Sequence, residues 1–155
     1  MHDIKTCLWF QSEAEEAARF YVSIFPGSQI KDVMRGPPGS PAIAVDFVLD
    51  GRPFLAINGR REPGFTDAAS IVVTCKDQAE IDRYWAVLTE GGEETMCGWL
   101  KDRYGVSWQV VPRGMAELLG GPDPEAAQRA VQAMLGMKKL DIAALERARK
   151  PVPVA

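Results

Sequence analysis

At two places along the chain, the spacing of apolar residues changes from that of a strand to that of a helix. Residues 5–21, KTCLWFQSEAEEAARFY, begin as a short apolar run, pass through a polar joint and continue with apolar residues at helical spacing. Residues 69–85, ASIVVTCKDQAEIDRYW, repeat this order 64 positions later, where Phe20 meets Tyr84. Each segment is typical of a strand followed by a helix. Because one such unit cannot bury its apolar face alone, two copies indicate one structure built by duplication.

Further strands are predicted beyond each helix. In the first copy, Pro26-Gly27 ends the helix, and the pattern predicts strands near 29–34, 42–49 and 53–58. Asp50-Gly51 is a dipeptide that favours positive φ and predicts a hairpin turn between the last two strands. In the second copy the pattern predicts a strand at 70–75, a helix at 77–90, and strands near 94–101 and 106–111. We assign the order βαβββ to both copies, although only two of the three strands expected after the second helix are placed.

The C-terminal part of the chain predicts helices. Asp123-Pro124 is a good N-cap followed by proline at the first helical position, and Asp141 starts another helix. We predict a single domain over 1–155, with module one at 1–64, module two at 65–113 and helices at 114–150. The tail carries more large apolar side chains than one short helix pair needs for itself, which favours packing or a dimer interface: Met115, Met134, Leu135, Met137 and Leu140.

Composition and charge exclude several classes of protein. A chain of 155 residues with 46% hydrophobic content can bury a proper core. A net charge of -3, with basic and acidic residues interspersed, gives no basic field for nucleic acid or an anionic membrane surface. The sequence shows no signal peptide and no membrane-spanning stretch, so a cytoplasmic location is expected. Three cysteines without CxxC spacing fit reduced thiols better than disulfides or a zinc site.

Two motifs carry a family resemblance. AEEAARFYVSIFPGS (14–28) and CGWLKDRYGVSWQVVP (97–112), set on paired βαβββ units, resemble the PhnB-like family of the vicinal-oxygen-chelate superfamily, and the tail segment 133–148 resembles it as well. The superfamily includes glyoxalases, bleomycin-resistance proteins and extradiol dioxygenases. The resemblance implies an α+β fold in which two βαβββ modules form a cupped mixed sheet around a cavity. It also implies helices on the convex side and a homodimer.

The resemblance further implies where a metal would be held. The superfamily's metal enzymes place histidine or glutamate on the first and last strands of each module. Alignment from the helix starts and from the turn glycines puts four residues of this chain at those positions: Thr6, Leu55, Ser70 and Gln109. Hydroxyls, a carboxamide and an alkyl group are poor ligands for a divalent ion. We therefore expect no metal site and no cofactor.

Strand alternation assigns the candidates to faces, because side chains at i and i+2 share a face. The predicted concave set is Thr6, Leu8, Phe10, Ser70, Val72, Thr74, Ser107, Gln109 and Val111, and the predicted helix-facing set is Cys7, Trp9, Ile71, Val73, Trp108 and Val110. From the concave positions and the motif we predict a site for a small organic ligand, lined by Thr6, Phe10, Ser70, Thr74, Trp99 and Gln109.

Structural interpretations compete with these assignments. Gln109 is equally explained as a partner for backbone groups, and Thr6 and Ser70 as ordinary strand residues in a wet cavity. Asp46 is a candidate acid or base, although a carboxylate on a sheet is usually solvated. The only histidine, His2, is too near the terminus to activate a cysteine, so no catalytic residue is assigned. Lys101 and Asp102 are read as a rim ion pair or as part of the turn.

Three functions remain open at this point. The favoured one is a metal-free protein that binds or sequesters a small molecule. The second is an enzyme, a lyase, isomerase or dioxygenase-like protein, that uses a weakly held divalent metal at Gln109 or carboxylates such as Asp46. The third is methyl transfer, a label that relatives carry as demethylubiquinone methyltransferase. It is disfavoured because no glycine-rich loop joins a strand to a helix, and Gly91-Gly92 follows a helix instead.

Overall fold

A computed structural model describes residues 4–60 and 64–151, and the chain divides into two compact units, 1–64 and 65–155. His2 and the Pro-Val-Pro end from residue 152 onward lie outside the described residues. Each unit is built around its own four-stranded sheet.

The first unit contains one helix and four strands: β1 (Thr6–Trp9), α1 (Ala14–Ile24), β2 (Gln29–Arg35), β3 (Ala42–Leu49) and β4 (Arg52–Ile57). The sheet order is β1-β4-β3-β2, in which β1 runs parallel to β4 and the other pairs are antiparallel. Asp50 and Gly51 have φ of 46° and 78°, so the predicted hairpin turn is confirmed. The predicted βαβββ order is confirmed as well.

The second unit repeats this arrangement with β5 (Ile71–Cys75), α2 (Gln78–Thr89), β6 (Glu93–Glu94), β7 (Trp99–Lys101) and β8 (Ser107–Pro112). Its sheet order, β5-β8-β7-β6, corresponds strand by strand to that of the first unit. One continuous strand over 94–101 was predicted, and this was wrong. The backbone turns at Cys97 and Gly98, whose φ values of 59° and 83° break the extended conformation. Two mixed sheets with packed helices make the fold α+β.

One face of each sheet is covered by a helix. In the first unit α1 packs on β3 and β4 through small residues that allow close approach, and the buried set is Ala14, Ala17, Ala18, Tyr21, Val45, Phe47, Leu49, Phe54 and Ala56. In the second unit α2 packs on β8 and β7, and the buried set is Ile81, Tyr84, Trp85, Leu88, Leu100, Trp108 and Val110. In each unit the opposite side of the sheet, called its open face below, is less buried.

The C-terminal tail belongs to the second unit. It forms α3 (Met115–Leu119), α4 (Pro124–Leu135) and α5 (Ile142–Arg149). The Asp123 carboxylate accepts hydrogen bonds from the N–H groups of residues 125 and 126, which confirms the predicted N-cap. Leu140 and Leu145 are fully buried, so part of the apolar surface of the tail contributes to the core of this unit. The predicted dimer remains a prediction.

The predicted faces are wrong for the first strand. Leu8 and Phe10 are buried, whereas Cys7 is exposed and the Trp9 side chain is 49% exposed. The parallel register sets Leu8 beside the buried Ala56 and Thr6 beside the buried Phe54. By register, the side chains of Thr6 and Phe10 therefore lie on the helix-covered face, although Thr6, at the start of β1, is itself exposed. The side chains of Cys7 and Trp9 share the open face.

The error comes from the length of the joint between strand and helix. Two buried residues mark the ends of the first strands: Phe10 directly follows β1, and Cys75 is the last residue of β5. Glu13 and Asp77 are the N-caps of the two helices. Two residues separate Phe10 from Glu13, but only Lys76 separates Cys75 from Asp77. A slip of one residue moves every strand side chain to the opposite face. Lys5, not Thr6, is consequently the structural counterpart of Ser70.

Two alanine substitutions test this correction. Leu8→Ala is expected to lower the free energy of unfolding by about 2–3 kcal/mol, because it leaves a cavity beside the buried Ala56. Cys7→Ala, on the open face, is expected to change it by less than about 0.5 kcal/mol. Urea denaturation followed by circular dichroism measures both values. A larger loss for Cys7→Ala than for Leu8→Ala would restore the original assignment.

Candidate functional site

The open face of the second sheet brings several predicted site residues together. Val72 and Thr74 are exposed on β5, whereas Trp108 and Val110 are buried on β8, so the predicted faces are confirmed for these two strands. Gln109 lies in the middle of the sheet, opposite Val72 on one side and Trp99 on the other. Thr74 lies on the same face, one pair further along, opposite Val111.

Gln109 is oriented by a hydrogen bond. Its Nε2 donates to the Ser70 Oγ at 2.9 Å, across β5 and β8. Within residues 4–60 and 64–151 neither side chain has another hydrogen-bond partner, so the carboxamide oxygen of Gln109 accepts no hydrogen bond from these residues. A carboxamide held by one hydrogen bond can offer an acceptor in a fixed direction, which suits recognition of a polar group.

A depression of about 400 Å³ lies beside Trp99, the neighbour of Gln109 on β7. It is lined by Asp67, Thr95, Met96, Cys97, Trp99, Leu100 and Lys101. Trp99 connects the depression to Gln109, since the two residues pair across β7 and β8. Met96, Trp99 and Leu100 give it an apolar wall, while Lys101 and Asp67 supply charge. An apolar wall beside a few polar groups is the usual composition of a small-molecule site.

The charged end of the depression is an organised ion pair. The Asp67 Oδ1 accepts a hydrogen bond from the Ser107 Oγ at 2.7 Å and lies 3.4 Å from the Lys101 Nζ. The Ser107 hydroxyl, with Lys101 as a weaker contributor, holds the pKa of Asp67 below its ordinary value. The carboxylate is therefore ionised at neutral pH. Of the two alternatives for Lys101 and Asp102, the rim ion pair is wrong, because Lys101 pairs with Asp67.

Asp102 instead organises the turn before β8. It is buried, and its Oδ1 accepts the N–H groups of Tyr104 at 2.8 Å and Val106 at 3.1 Å. Its Oδ2 accepts the indole N–H of Trp108 at 2.8 Å. A carboxylate that accepts three hydrogen bonds inside the protein is a structural group, so the turn interpretation is the correct one.

The open face of the first sheet has a different character. Cys7, Asp46 and Leu55 form one row across β1, β3 and β4. The Lys5 Nζ lies 2.5 Å from the Asp46 Oδ2, and since β4 lies between the two strands, this ion pair crosses over β4 beside Leu55. Asp46 is thus engaged with an ammonium group. Thr6 and Phe10 lie on the other face of this sheet and are not part of the arrangement.

Sequence reasoning missed Lys5, Asp67 and Met96. Lys5 was missed because the two copies were aligned from their helix starts, which set Thr6 against Ser70. Aligning the buried residues Phe10 and Cys75 instead would have set Lys5 against Ser70. Asp67 precedes β5 in a loop, and nothing in its local sequence indicates that it meets Lys101 from β7. Met96 became visible only once the turn at Cys97 separated β6 from β7.

The donor chemistry at the four implied metal positions does not fit a divalent ion. With the corrected register these positions hold Lys5, Leu55, Ser70 and Gln109. An ammonium repels a metal, an alkyl group cannot bind one, and hydroxyl and carboxamide groups are weak neutral donors. In addition, the part of the chain that the structure describes brings no three His, Cys, Asp or Glu side chains together as a metal cluster.

The thiols of Cys7 and Cys75 are not activated. Burial raises the pKa of Cys75 to about 11, and desolvation also raises the pKa of Cys7. Because the thiolate is the nucleophilic form, both groups are predominantly protonated and weakly reactive at neutral pH.

Comparison with known sequences decides the family. The sequence model of the family described as 3-demethylubiquinone-9 3-methyltransferase matches residues 2–111, which is more than half of the chain. The chain belongs to this PhnB-like family of the vicinal-oxygen-chelate superfamily. The matched residues include both βαβββ units up to β8, and the helical tail lies beyond them.

Solved structures agree with this assignment. The PhnB protein of Bacillus cereus is 34% identical with a TM-score of 0.68, over 72% of this chain and 100% of that chain. PA1353 of Pseudomonas aeruginosa is 22% identical with a TM-score of 0.63, over 73% of this chain and 98% of its own. The fosfomycin resistance protein FosX of Listeria monocytogenes, solved with Mn(II) and sulfate, is 16% identical with a TM-score of 0.57, over 76% and 97%. FosX and PA1353 support the fold alone at these identities.

No curated protein matches the chain. Among the helices of residues 4–60 and 64–151, none is long and apolar enough to cross a bilayer.

Proposed function

We propose that this PhnB-like protein binds a small organic molecule on the open face of its second sheet and does so without a metal. The hydrogen-bonded pair of Gln109 and Ser70, set beside Trp99 and an apolar depression, is the observation that carries the proposal. These groups can bind a neutral polar function and a flat apolar body at the same time. They offer nothing that would hold a chelated cation.

The chemistry of the groups indicates the kind of ligand. The Trp99 ring is suited to stacking with a planar apolar group, an interaction that contributes about 0.5–1.5 kcal/mol beyond area burial. The Gln109 oxygen accepts a hydrogen bond from a donor such as an amide N–H. Lys101 and Asp67 neutralise each other at the far end of the depression, so a neutral ligand avoids the desolvation of an unpaired charge.

Methyl transfer, the activity in the name of the family, gains no support from the joints where a cofactor would bind. A nucleotide-like cofactor is usually held by a glycine-rich turn between a strand and a helix. The joint before α1 is Phe10-Gln11-Ser12-Glu13 and the joint before α2 is Cys75-Lys76-Asp77, and neither contains glycine. The alternative of a metal-assisted enzyme requires donors that the four family positions lack. The homodimer and the cytoplasmic location remain predictions.

Benzamide is a suitable probe because it combines a flat ring with a group that both donates and accepts hydrogen bonds. In a titration monitored by two-dimensional NMR, we expect shifts in the resonances of Trp99 and Gln109. Trp99→Ala and Gln109→Leu should each weaken the affinity about fivefold or more, the equivalent of about 1 kcal/mol.

Thr6→Val is the matched control, because Thr6 was predicted as a ligand contact but lies on the helix-covered face of the first sheet. This variant should leave the benzamide affinity unchanged. A wild-type protein whose open-face resonances do not respond to benzamide would refute the proposed site.

A further inference from the structure

The turn between β6 and β7 is held by the C-terminal tail. The N–H of Cys97 donates to the carbonyl of Met137 at 2.7 Å, and the N–H of Gly98 donates to the carbonyl of Lys138 at 2.7 Å. On its other side the carbonyl of Gly98 accepts the N–H of Val110 at 2.8 Å. The turn therefore lies between β8 and residues 134–140, which we call the tail clamp.

The turn adopts a conformation that its sequence does not favour by itself. Cys97 has φ of 59° although it is not glycine, and such a residue keeps this conformation only when its surroundings impose it. Gly98 leaves no room for a side chain, since a Cβ there would lie 2.9 Å from the Val110 carbonyl oxygen and 3.0 Å from the Leu140 Cδ1. The tail clamp is one of the two surfaces that impose this geometry.

The tail clamp is itself anchored to α2. The Gln78 side chain bridges its end, donating from Nε2 to the Leu140 carbonyl at 3.0 Å and accepting the N–H of Ile142 at 2.9 Å. The Lys139 Nζ also lies 2.6 Å from the Asp82 Oδ1 on α2. Leu140 is fully buried. These contacts form a continuous chain from α2 through the tail to the turn.

We infer that the tail clamp is a positioning element for the ligand site. Met96, Cys97 and Trp99 lie in or directly beside the clamped turn and line the depression. If the clamp opens, the turn can leave its left-handed conformation, and the wall that these three residues form changes shape. The effect on ligand binding rests on the proposed function, whereas the effect of the clamp on the turn can be tested without any ligand. The clamp lies outside residues 2–111, the part of the chain that matches the family.

The three cysteines allow the clamp to be tested inside one molecule. Cys7 is exposed, Cys75 is buried and Cys97 is intermediate, with its Sγ 3.6 Å from the Met134 carbonyl oxygen. Pulse labelling with N-ethylmaleimide, followed by peptide mass spectrometry, reports the reactivity of each thiol separately. Gln78→Met removes both bridging hydrogen bonds, together with the one that the Gln78 Nε2 donates to the Asp82 Oδ1 at 3.1 Å within α2. Gln132→Met, at an exposed position on α4, is the matched control.

In Gln78→Met the labelling rate of Cys97 should rise about fivefold or more, while the rates of Cys7 and Cys75 stay at their wild-type values. Gln132→Met should leave all three rates unchanged. If Cys97 and Cys75 accelerate together, the variant loosens the whole unit, and the inference is overturned. An unchanged Cys97 rate overturns it as well. Lys139→Ala, which breaks only the surface contact with Asp82, provides a milder second variant with the same expected pattern.

Benzamide affinity supplies the functional readout. Gln78→Met should bind benzamide more weakly than the wild type, by about the factor that Trp99→Ala produces, and Gln132→Met should bind it normally. Faster Cys97 labelling with unchanged benzamide affinity would show that the clamp holds the turn but does not position the site. A wild-type protein that ignores benzamide would refute the proposed function, and the labelling pattern would still decide whether the clamp exists.

Discussion

Replacing Asp102 with asparagine is expected to lower the free energy of unfolding by about 2–3 kcal/mol. The carboxylate accepts two backbone N–H groups at Oδ1 and the Trp108 indole N–H at Oδ2, all inside the protein. Asparagine has one acceptor oxygen, so its NH₂ group must face either the indole donor or the backbone donors. At least one buried donor then loses its partner.

Asp67→Asn is the matched control for this substitution. Its side chain is 64% exposed, and asparagine keeps an acceptor for the Ser107 hydroxyl, so the loss should be within about 0.5 kcal/mol. Guanidinium denaturation followed by tryptophan fluorescence measures both values. Similar costs for the two variants would mean that the buried hydrogen bonds of Asp102 contribute little to the stability of the second unit.

How far the fold could be predicted from the sequence depends on whether each strand alternates clearly. β3 was predicted to the residue, over 42–49, because its apolar run ends at a dipeptide that favours positive φ. β1 was predicted, but which of its side chains lie on the helix-covered face was predicted wrongly. The strand has only four residues, and apolar residues occupy both its odd and its even positions. Leu8 and Phe10 are no more apolar than Cys7 and Trp9. The sequence therefore carried no signal to oppose the alignment error, and the longer joint before Glu13 decided the outcome.

The site was predictable where it follows strand register and not where it depends on long-range contacts. Ser70 and Gln109 were paired correctly as positions, and the structure joins them by a hydrogen bond. The Lys5–Asp46 and Lys101–Asp67 pairs depend on side chains that reach across strands or from loops. The tail clamp depends on the return of the chain to Cys97, and no local pattern signals such a return. Gly98 is the single hint, since a strand glycine often marks a close approach of backbone.

The double variant Lys5→His with Leu55→Glu is expected to gain the ability to bind Ni²⁺. Lys5 and Leu55 share the open face of the first sheet, and Leu55 pairs with Asp46 and with Cys7, so an imidazole and a carboxylate at these positions would join existing donors. If the double variant binds Ni²⁺ with Kd of about 10 μM, 1 mM Ni²⁺ stabilises it by about 2.7 kcal/mol. Differential scanning calorimetry would record this as a rise in Tm of about 5–11 °C, at about 2–4 °C per kcal/mol for a chain of this size.

Two proteins serve as controls for that experiment. In Thr6→His with Leu55→Glu the two new ligands lie on opposite faces of the sheet, because Thr6 pairs with the buried Phe54, so Ni²⁺ should leave the Tm unchanged. An equal response would refute the corrected register of β1. The wild-type protein should also show no response, since an ammonium and an alkyl group occupy the two positions and Ser70 and Gln109 offer only neutral oxygens. A wild-type Tm that rises with Ni²⁺ would instead show that the sheet holds metal through other donors, and the metal-free binding proposed for this chain would have to be abandoned.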